Sequence, residues 1–172
     1  MYRIEDNFYP QEIFDRILEL VKTKPDNVLP ENYNGKRSEF KNRTFLTEPE
    51  ELSDLILTKF PFKENFRRRI EVANDVHGFF LHPHSDHPAK KDVTVLYIEG
   101  RINSGTTFDG PIFEETVDFY PNRAVHFLPD EKQTFDPSSR KHSVKLQELR
   151  SRRTIVVSYV DGTWRDTHEC YD

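Results

Sequence analysis

The pattern of apolar positions along the chain changes near Arg67. Before that point apolar residues recur every three or four positions, which indicates amphipathic helices. The first helix is predicted to begin at Pro10-Gln11 and to end before Lys24-Pro25. Its apolar stripe consists of Ile13, Phe14, Ile17, Leu20 and Val21.

A second helix is predicted after Thr47. The sequence Thr47-Glu48-Pro49-Glu50 has the form of a capping box, in which the threonine caps the helix and Glu50 reaches back to it. Between the two helices, residues 25–42 mix Pro, Asn, Gly and charged residues without periodicity. We therefore predict a loop there, of the kind that can border a site.

From Arg67 onward the pattern consists of short runs of β-branched or aromatic residues separated by turn residues. The runs are RRRIEVA, GFFLHPH, DVTVLYIEG, ETVDFY, RAVHFLP, HSVKLQ and RTIVVSYV. About seven short strands with no long helix between them are typical of an antiparallel sandwich or barrel. The pattern predicts a mainly β fold with N-terminal helices that cover one face.

Chain length and composition favour one domain over residues 1–172, with a helical part over about residues 1–66 and a β core over about residues 67–162. The single cysteine, Cys170, excludes a disulfide framework and a cysteine metal cluster, which suits a reducing cytoplasm. No apolar run approaches the roughly 20 residues that a membrane span needs. We expect a cytoplasmic protein with no membrane partner.

The charge balance argues against a dedicated nucleic-acid binder, because the net charge is -5 and phosphate neutralisation needs a surplus of Lys and Arg. Two basic clusters, Arg67–Arg69 and Arg150–Arg153, lie in predicted strands. Apart from Arg152, we interpret them as solvated strand faces.

Candidate metal ligands occur in the segment Leu81-His82-Pro83-His84-Ser85-Asp86-His87. His84 and Asp86 are two positions apart, so on an extended segment both side chains point to the same side. His142, at the start of a late strand, is the candidate third ligand. Two histidines and one carboxylate leave three adjacent positions open on an octahedral ion, an arrangement typical of catalytic non-haem iron(II). The spacing alone does not exclude a chance pair, because the chain has seven histidines.

A candidate anion receptor follows ten positions after His142. On a strand, Arg152 and Thr154 share a face and Arg153 points the other way. A guanidinium beside a hydroxyl can bind a carboxylate held at a distance from a metal.

Together these motifs resemble the iron(II)- and 2-oxoglutarate-dependent dioxygenase superfamily, and within it the prolyl 4-hydroxylase-like branch. The resemblance covers roughly Glu71 to Gly162 and rests on the order His-x-Asp, a Gly-containing connection, a strand with Pro-x-Arg, His-x-Val and Arg-x-Ser/Thr. It departs from the superfamily at residues 103–108, Asn-Ser-Gly-Thr-Thr-Phe, where a single Gly replaces a Gly-Gly pair, and in the long polar stretch 130–141.

The resemblance implies a double-stranded β-helix, or jelly-roll barrel, with the metal near its open end. It implies that His84, Asp86 and His142 are the catalytic metal ligands for Fe(II). It also implies that Arg152, Thr154 and Tyr97 bind 2-oxoglutarate. The expected reaction consumes O2 and 2-oxoglutarate, releases succinate and CO2, and hydroxylates a C–H bond of a prolyl residue or an amino-acid-like substrate. Peptides and small molecules are both open as substrates, as are a requirement for ascorbate and the oligomeric state.

The main alternative is a cupin-like metal-binding barrel that acts as an isomerase or a small-ligand binding module, because His82 and His84 also form a His-x-His pair. A cupin has no use for Arg152-x-Thr154, which favours the oxygenase. His82 is expected to point away or pack, and His87 to be a surface loop residue. His126 is either an inward-facing substrate contact or solvent-facing. Trp164 is expected to be a packing anchor, with lining of the substrate entrance as its alternative role.

Overall fold

The computed structural model describes residues 2–23, 43–46, 50–109, 114–129, 141–145, 151–164 and 170–171. These residues form a mainly β structure with two α-helices. The predicted loop at 25–42, the predicted cap at Thr47 and residues 130–140 lie outside the described residues. Within the described part of the chain, no helix combines the length and the apolar character that crossing a membrane requires.

The helices are α1 (Gln11–Thr23) and α2 (Glu50–Leu57). Helix α1 begins where Pro10 predicts it, and the carbonyl oxygen of Pro10 accepts hydrogen bonds from the backbone N–H groups of Ile13 and Phe14, both at 3.0 Å. The buried faces of both helices pack in one apolar cluster against side chains of a large sheet. The helices therefore cover one face of that sheet, as expected.

The strands form two antiparallel sheets. They are β1 (Tyr2–Glu5), β2 (Arg43–Leu46), β3 (Arg67–Asp75), β4 (Leu81–His84), β5 (Lys90–Glu99), β6 (Thr107–Asp109), β7 (Glu114–Thr116), β8 (Ala124–Phe127), β9 (Lys141–Val144), β10 (Arg152–Val160) and β11 (Cys170–Tyr171). The large sheet has the order β1-β8-β5-β10-β3-β11, with β2 also paired to β3. The small sheet has the order β4-β9-β6-β7.

Each of the seven runs predicted as strands contains a strand. The sequence pattern did not predict β1, β2, β6 or β11. Two of these, β1 and β2, lie in the part of the chain for which only helices were predicted, and both join the large sheet. The side chains of β1 do not alternate between buried and exposed positions, so this strand gives no period-two signal.

A second apolar cluster lies between the two sheets. It includes Val95 and Tyr97 from β5 and Phe127 from β8, and Phe108 from the small sheet packs against it. Because alternate residues of a strand face opposite sides, β10 presents Ile155 and Val157 to the helices and its even-numbered residues to this second cluster. Arg152 and Thr154 therefore face the space between the sheets.

Candidate functional site

Two strands of the small sheet bring His84 and His142 together. They are antiparallel partners on β4 and β9, and their ring centroids lie 4.3 Å apart. Asp86 lies beyond the end of β4, in the connection to β5. One ligand atom from each of these three side chains lies within 4.8 Å of the other two, which is a grouping that could hold a metal ion.

Two hydrogen bonds orient the side chains of His84 and Asp86. His84 Nδ1 lies 2.8 Å from the carbonyl oxygen of His82. Because a carbonyl can only accept, Nδ1 carries the proton and Nε2 keeps its lone pair. Asp86 Oδ1 accepts a hydrogen bond from Lys90 Nζ at 2.7 Å, whereas the buried Oδ2 has no hydrogen-bond partner. That free oxygen lies 3.6 Å from His142 Nε2.

Electrostatics keep these groups in the protonation states that bind metal. Burial by itself would raise the pKa of Asp86, but the positive charge of Lys90 and the two neighbouring histidines hold that pKa well below its usual range. Burial lowers the pKa of His142 to about 4, although the negative charge of Asp86 acts to raise it. At neutral pH the site therefore presents a carboxylate and a neutral imidazole.

The second predicted group, Arg152, Thr154 and Tyr97, is also brought together. Thr154 on β10 is the cross-strand partner of Tyr97 on β5, and the Arg152 guanidinium lies 5.9 Å from the centre of the Tyr97 ring. Arg152 and Thr154 are 2% and 1% exposed. Arg153 points the other way, toward Glu99 at 3.7 Å, as the alternation of the strand predicts.

Two buried polar atoms in this group have no hydrogen-bond partner, Arg152 Nε and Thr154 Oγ1. The Tyr97 hydroxyl accepts a hydrogen bond from the Thr106 backbone N–H at 2.7 Å. Among the described residues it makes no other hydrogen bond, so its own proton is available to an acceptor. Buried donors without partners are rare in folded proteins and mark a place where a polar ligand fits.

The two groups face the same interior. The His142 ring lies 4.8 Å from the Phe127 ring, and Phe127 belongs to the same cluster between the sheets as Tyr97. The candidate metal-ligand group and the group of Arg152, Thr154 and Tyr97 are thus connected through one packed layer.

Several residues of the site were not expected from the sequence. Asp75 accepts hydrogen bonds from Arg152 and from Arg43, and Lys90 holds Asp86. Asp75 and Arg43 have no motif spacing to the ligands, so no signal in the sequence identifies them. Lys90 lies four positions after Asp86, and that spacing was the one available hint.

The interpretation of Arg67–Arg69 as solvated strand faces is wrong for Arg69. Its side chain is buried, pairs with Glu71 and lies against Trp164, with the guanidinium 5.0 Å from the ring centre. Burial of an arginine is stabilised here because a buried carboxylate neutralises it.

The remaining histidines are placed as follows. His87 is exposed, as predicted, and its ring lies 5.2 Å from that of Trp164. His82 is exposed and packs on Phe80 at 4.8 Å, so it lies outside the candidate ligand group. His126 takes neither expected role, because it is half-buried on the helix-covered side and hydrogen-bonds Thr94.

The chain matches no family model and no curated protein. Solved structures do match it. An oxidoreductase of the 2OG-Fe(II) oxygenase family from Burkholderia pseudomallei superposes with a TM-score of 0.64 at 11% identity, covering 92% of this chain and 84% of that one. A prolyl-4-hydroxylase from Pseudomonas putida gives a TM-score of 0.59 at 14% identity and covers 93% and 92% of the two chains. A viral collagen prolyl hydroxylase from Paramecium Bursaria Chlorella virus-1, described with 2OG, gives 0.57 at 13% identity with 93% and 95% coverage.

The chain has the fold of the 2OG-Fe(II) oxygenases. The expected likeness to this superfamily and to its prolyl hydroxylases is confirmed at the level of fold. Identities of 11–14% do not transfer an activity, so the function of this oxygenase fold has to be argued from the geometry of its own site.

Proposed function

We propose that the protein is an iron(II)- and 2-oxoglutarate-dependent oxygenase that hydroxylates a C–H bond and releases succinate and CO2. The observation that carries the proposal is the grouping of His84, Asp86 and His142, in which the buried oxygen Oδ2 of Asp86 has no hydrogen-bond partner. In this proposal the two sheets form the double-stranded β-helix, with the metal site near its open end.

The donor set fits iron(II). Two imidazoles and one carboxylate oxygen are the ligands of the facial triad, and that triad leaves open positions for a co-substrate. Lys90 occupies Asp86 Oδ1 at 2.7 Å, which leaves the carboxylate one oxygen for the ion. A closed structural zinc site would instead need a fourth protein ligand. In the part of the chain that the structure describes, the group has three members.

Arg152, Thr154 and Tyr97 fit one carboxylate of a dicarboxylate. Arg152 Nε and Thr154 Oγ1 are buried without partners, and the Tyr97 hydroxyl retains a proton to donate. Arg152 and Thr154 lie beside Tyr97 on the neighbouring strand, and buried donors of this kind fit a carboxylate. Arg152, Thr154 and Tyr97 would hold the distal carboxylate of 2-oxoglutarate, and His84, Asp86 and His142 would hold the ion that its keto acid end binds.

When bound, iron and 2-oxoglutarate supply the oxidising chemistry. The chain holds and shields them. His84, Asp86 and His142 would hold the ion, and Lys90 keeps Asp86 ionised and oriented. Phe108 and Phe127 pack against His142 with ring centroids at 6.4 and 4.8 Å and exclude water from that side.

The substrate is proposed only as a chemical class, whereas the co-substrate is proposed as one compound. The prolyl hydroxylases among the structural neighbours support a prolyl residue or an amino-acid-like substrate. His87 follows the candidate ligand Asp86 in the chain, and its ring lies 5.2 Å from that of Trp164, which supports a substrate entrance at this end.

An anaerobic titration tests the proposal. Iron(II)-loaded protein is titrated with 2-oxoglutarate, and the visible metal-to-ligand charge-transfer absorption that bidentate chelation produces is recorded. We expect the band in the wild type and its loss in Asp86→Ala, because the candidate ligand group loses its carboxylate.

His82→Ala is the matched control, since it removes a histidine of the same segment that lies outside the ligand group. The control should keep the band. A wild-type protein that binds iron(II) without developing the band would contradict the oxygenase proposal and favour the cupin-like alternative.

A further inference from the structure

One row of register partners crosses the large sheet, beginning beside the candidate ligand His142. Phe127 on β8, whose ring lies 4.8 Å from that of His142, is the partner of Val93 on β5. Val93 pairs with Ser158 on β10, and Ser158 pairs with Arg69 on β3. Register partners in an antiparallel sheet have their side chains on the same face. Because Val93 belongs to the apolar cluster between the sheets, Ser158 and Arg69 also face that space.

This row is separate from the group that is proposed to hold 2-oxoglutarate. Ser158 lies four positions after Thr154 and six positions after Arg152 on β10. At about 3.3 Å per residue, four positions correspond to roughly 13 Å along the strand. Across the sheet, Ser158 is two strands from Phe127, which corresponds to roughly 10 Å. The Ser158 end of the interior is therefore distinct from the end that holds Arg152.

Two buried polar atoms lie beside Arg69 at this end. Ser158 is 0% exposed, and neither its Oγ nor the Nε1 of Trp164 has a hydrogen-bond partner among the described residues. Ser158 is the cross-strand partner of Arg69, and the Arg69 guanidinium lies 5.0 Å from the centre of the Trp164 ring. An indole N–H can only donate, so the group that it lacks is an acceptor. A buried donor in this state is costly until an acceptor binds it.

The backbone of Trp164 is held in place on both sides. Its N–H donates to the carbonyl oxygen of Asp161 at 3.1 Å, and its carbonyl oxygen accepts from Arg67 Nη2 at 2.9 Å. The ring also lies 5.2 Å from that of His87, which follows the candidate ligand Asp86 in the chain. The indole N–H is thus positioned before a ligand arrives, which lowers the cost of binding one.

We propose that Ser158 and Trp164 form a subsite for the primary substrate, and that this subsite binds an acceptor oxygen, either the carboxylate of a free α-amino acid or the carbonyl of a peptide residue. The Trp164 N–H, the Ser158 hydroxyl and the neighbouring positive charge of Arg69 all attract such an oxygen. The inference rests on the proposed function, because the ligand is the substrate of that hydroxylation.

NMR spectroscopy of the zinc(II)-loaded protein with saturating 2-oxoglutarate tests the subsite. Zinc(II) is diamagnetic and has no redox chemistry, so the complex is stable in air. The complex is titrated with the proteinogenic L-amino acids and, separately, with their N-acetyl amides, while the indole N–H signal of Trp164 is followed. At least one compound should move this signal downfield, because an acceptor oxygen deshields the proton. Binding of a free amino acid assigns the carboxylate, and binding of an amide alone assigns the carbonyl of a peptide.

Two variants and a matched control locate the bound oxygen. For the compound that binds, we expect its Kd, measured by calorimetry, to rise about tenfold in Ser158→Ala and in Trp164→Phe, because each variant lacks one donor. The Kd of 2-oxoglutarate should stay unchanged in both, whereas a purely structural defect would weaken both ligands. Tyr159→Phe removes a hydroxyl from the next position of β10, which faces the helices and donates to the Pro61 carbonyl at 2.7 Å. This control should alter neither Kd.

The outcomes separate the subsite from the proposed function. If the wild type does not bind 2-oxoglutarate, the proposed function fails and the subsite fails with it. If it binds 2-oxoglutarate but no compound moves the Trp164 signal, the subsite is overturned and the proposed function stands. The same conclusion follows if Ser158→Ala and Trp164→Phe bind the compound as tightly as the wild type does. If one variant does not fold, the wild-type titration and the other variant carry the test.

Discussion

The residue Lys90 decides how Asp86 can bind an ion. Its ammonium group binds Oδ1, and the other oxygen, Oδ2, is left facing His142. A contact of this kind orients a ligand and keeps it ionised, and removal of such contacts typically costs 10–100-fold in metal affinity. The carboxylate is thereby prepared to bind through one oxygen.

Replacement of this lysine should weaken the metal site without removing a ligand. In Lys90→Met the pKa of Asp86 loses its largest lowering influence and the carboxylate can rotate. We expect the Kd for iron(II) to rise about tenfold, measured by anaerobic competition with a chelator. Lys91→Met, which removes an adjacent lysine paired with Asp161 at 3.2 Å, should leave the Kd unchanged. Equal effects of the two variants would argue against a specific role for Lys90.

The sequence predicts residues of this site only where short spacing carries the signal. His84 and Asp86 are two positions apart, and Arg152 and Thr154 share a strand face, so both pairs could be identified. Arg43 is 32 residues from Asp75, and only strand pairing brings them together. Long-range pairing of this kind leaves no local pattern.

At the scale of elements, the turn after β5 depends on Gly105. A Cβ atom at this position would lie 1.7 Å from the carbonyl oxygen of Val117 and 3.1 Å from the hydroxyl of Tyr97. The backbone at residue 105 therefore lies so close to the backbone at residue 117 that only glycine fits there. The Tyr97 hydroxyl is held at this same place by the Thr106 N–H.

Gly105→Ala should destabilise the fold by at least about 2 kcal/mol, because the backbone of residues 105 and 117 would have to separate. Urea unfolding followed by circular dichroism measures the change. Gly162→Ala is the control, since a Cβ there meets nothing within 4 Å. The explanation fails if both alanines are tolerated equally.

The elements that the sequence predicts are those with a strong period. The stripe of α1 and the seven apolar runs each correspond to an observed element. The short strands β2 and β6 have four and three residues, and each lies in a short apolar stretch flanked closely by polar or turn residues, KN-RTFL-TEP and SGT-TFD-GP. Residues 102–109 include the segment that departs from the Gly-Gly pattern of the superfamily. They form a turn of 3-10 helix at Ile102–Ser104 and then β6.

At the scale of the whole molecule, the segment before α1 joins the large sheet to the helices. Strand β1 pairs with β8, and Asn122 exchanges hydrogen bonds with the backbone of Tyr9 at 3.0 and 2.9 Å. His126 lies at this junction, with Nδ1 2.9 Å from the Thr94 hydroxyl and its ring 5.5 Å from that of Phe8.

Folding stability should therefore depend on pH through His126. Burial, followed by the charge of Arg3, lowers its pKa in the folded state. The unfolded chain takes up the proton at about pH 6.5. Below that pH the unfolded state binds more protons than the folded state, so the stability that is present above about pH 6.5 is lost as the pH falls.

Thermal unfolding of wild type and His126→Gln over pH 5–8 checks this. The glutamine variant should lose less stability than the wild type between about pH 7 and pH 5, because it has no group to protonate at this position. The exposed His77→Gln serves as the control and should follow the wild type. Parallel curves for all three proteins would show that His126 does not contribute.

Trp164 is the single tryptophan of the chain. Its ring lies between His87, which follows the candidate ligand Asp86, and the buried guanidinium of Arg69. The tryptophan emission of the protein therefore comes from one known place, in contact with the residue that follows the candidate ligand Asp86. The molecule carries its own optical reporter, and no dye or label is needed to follow what enters that end of the site.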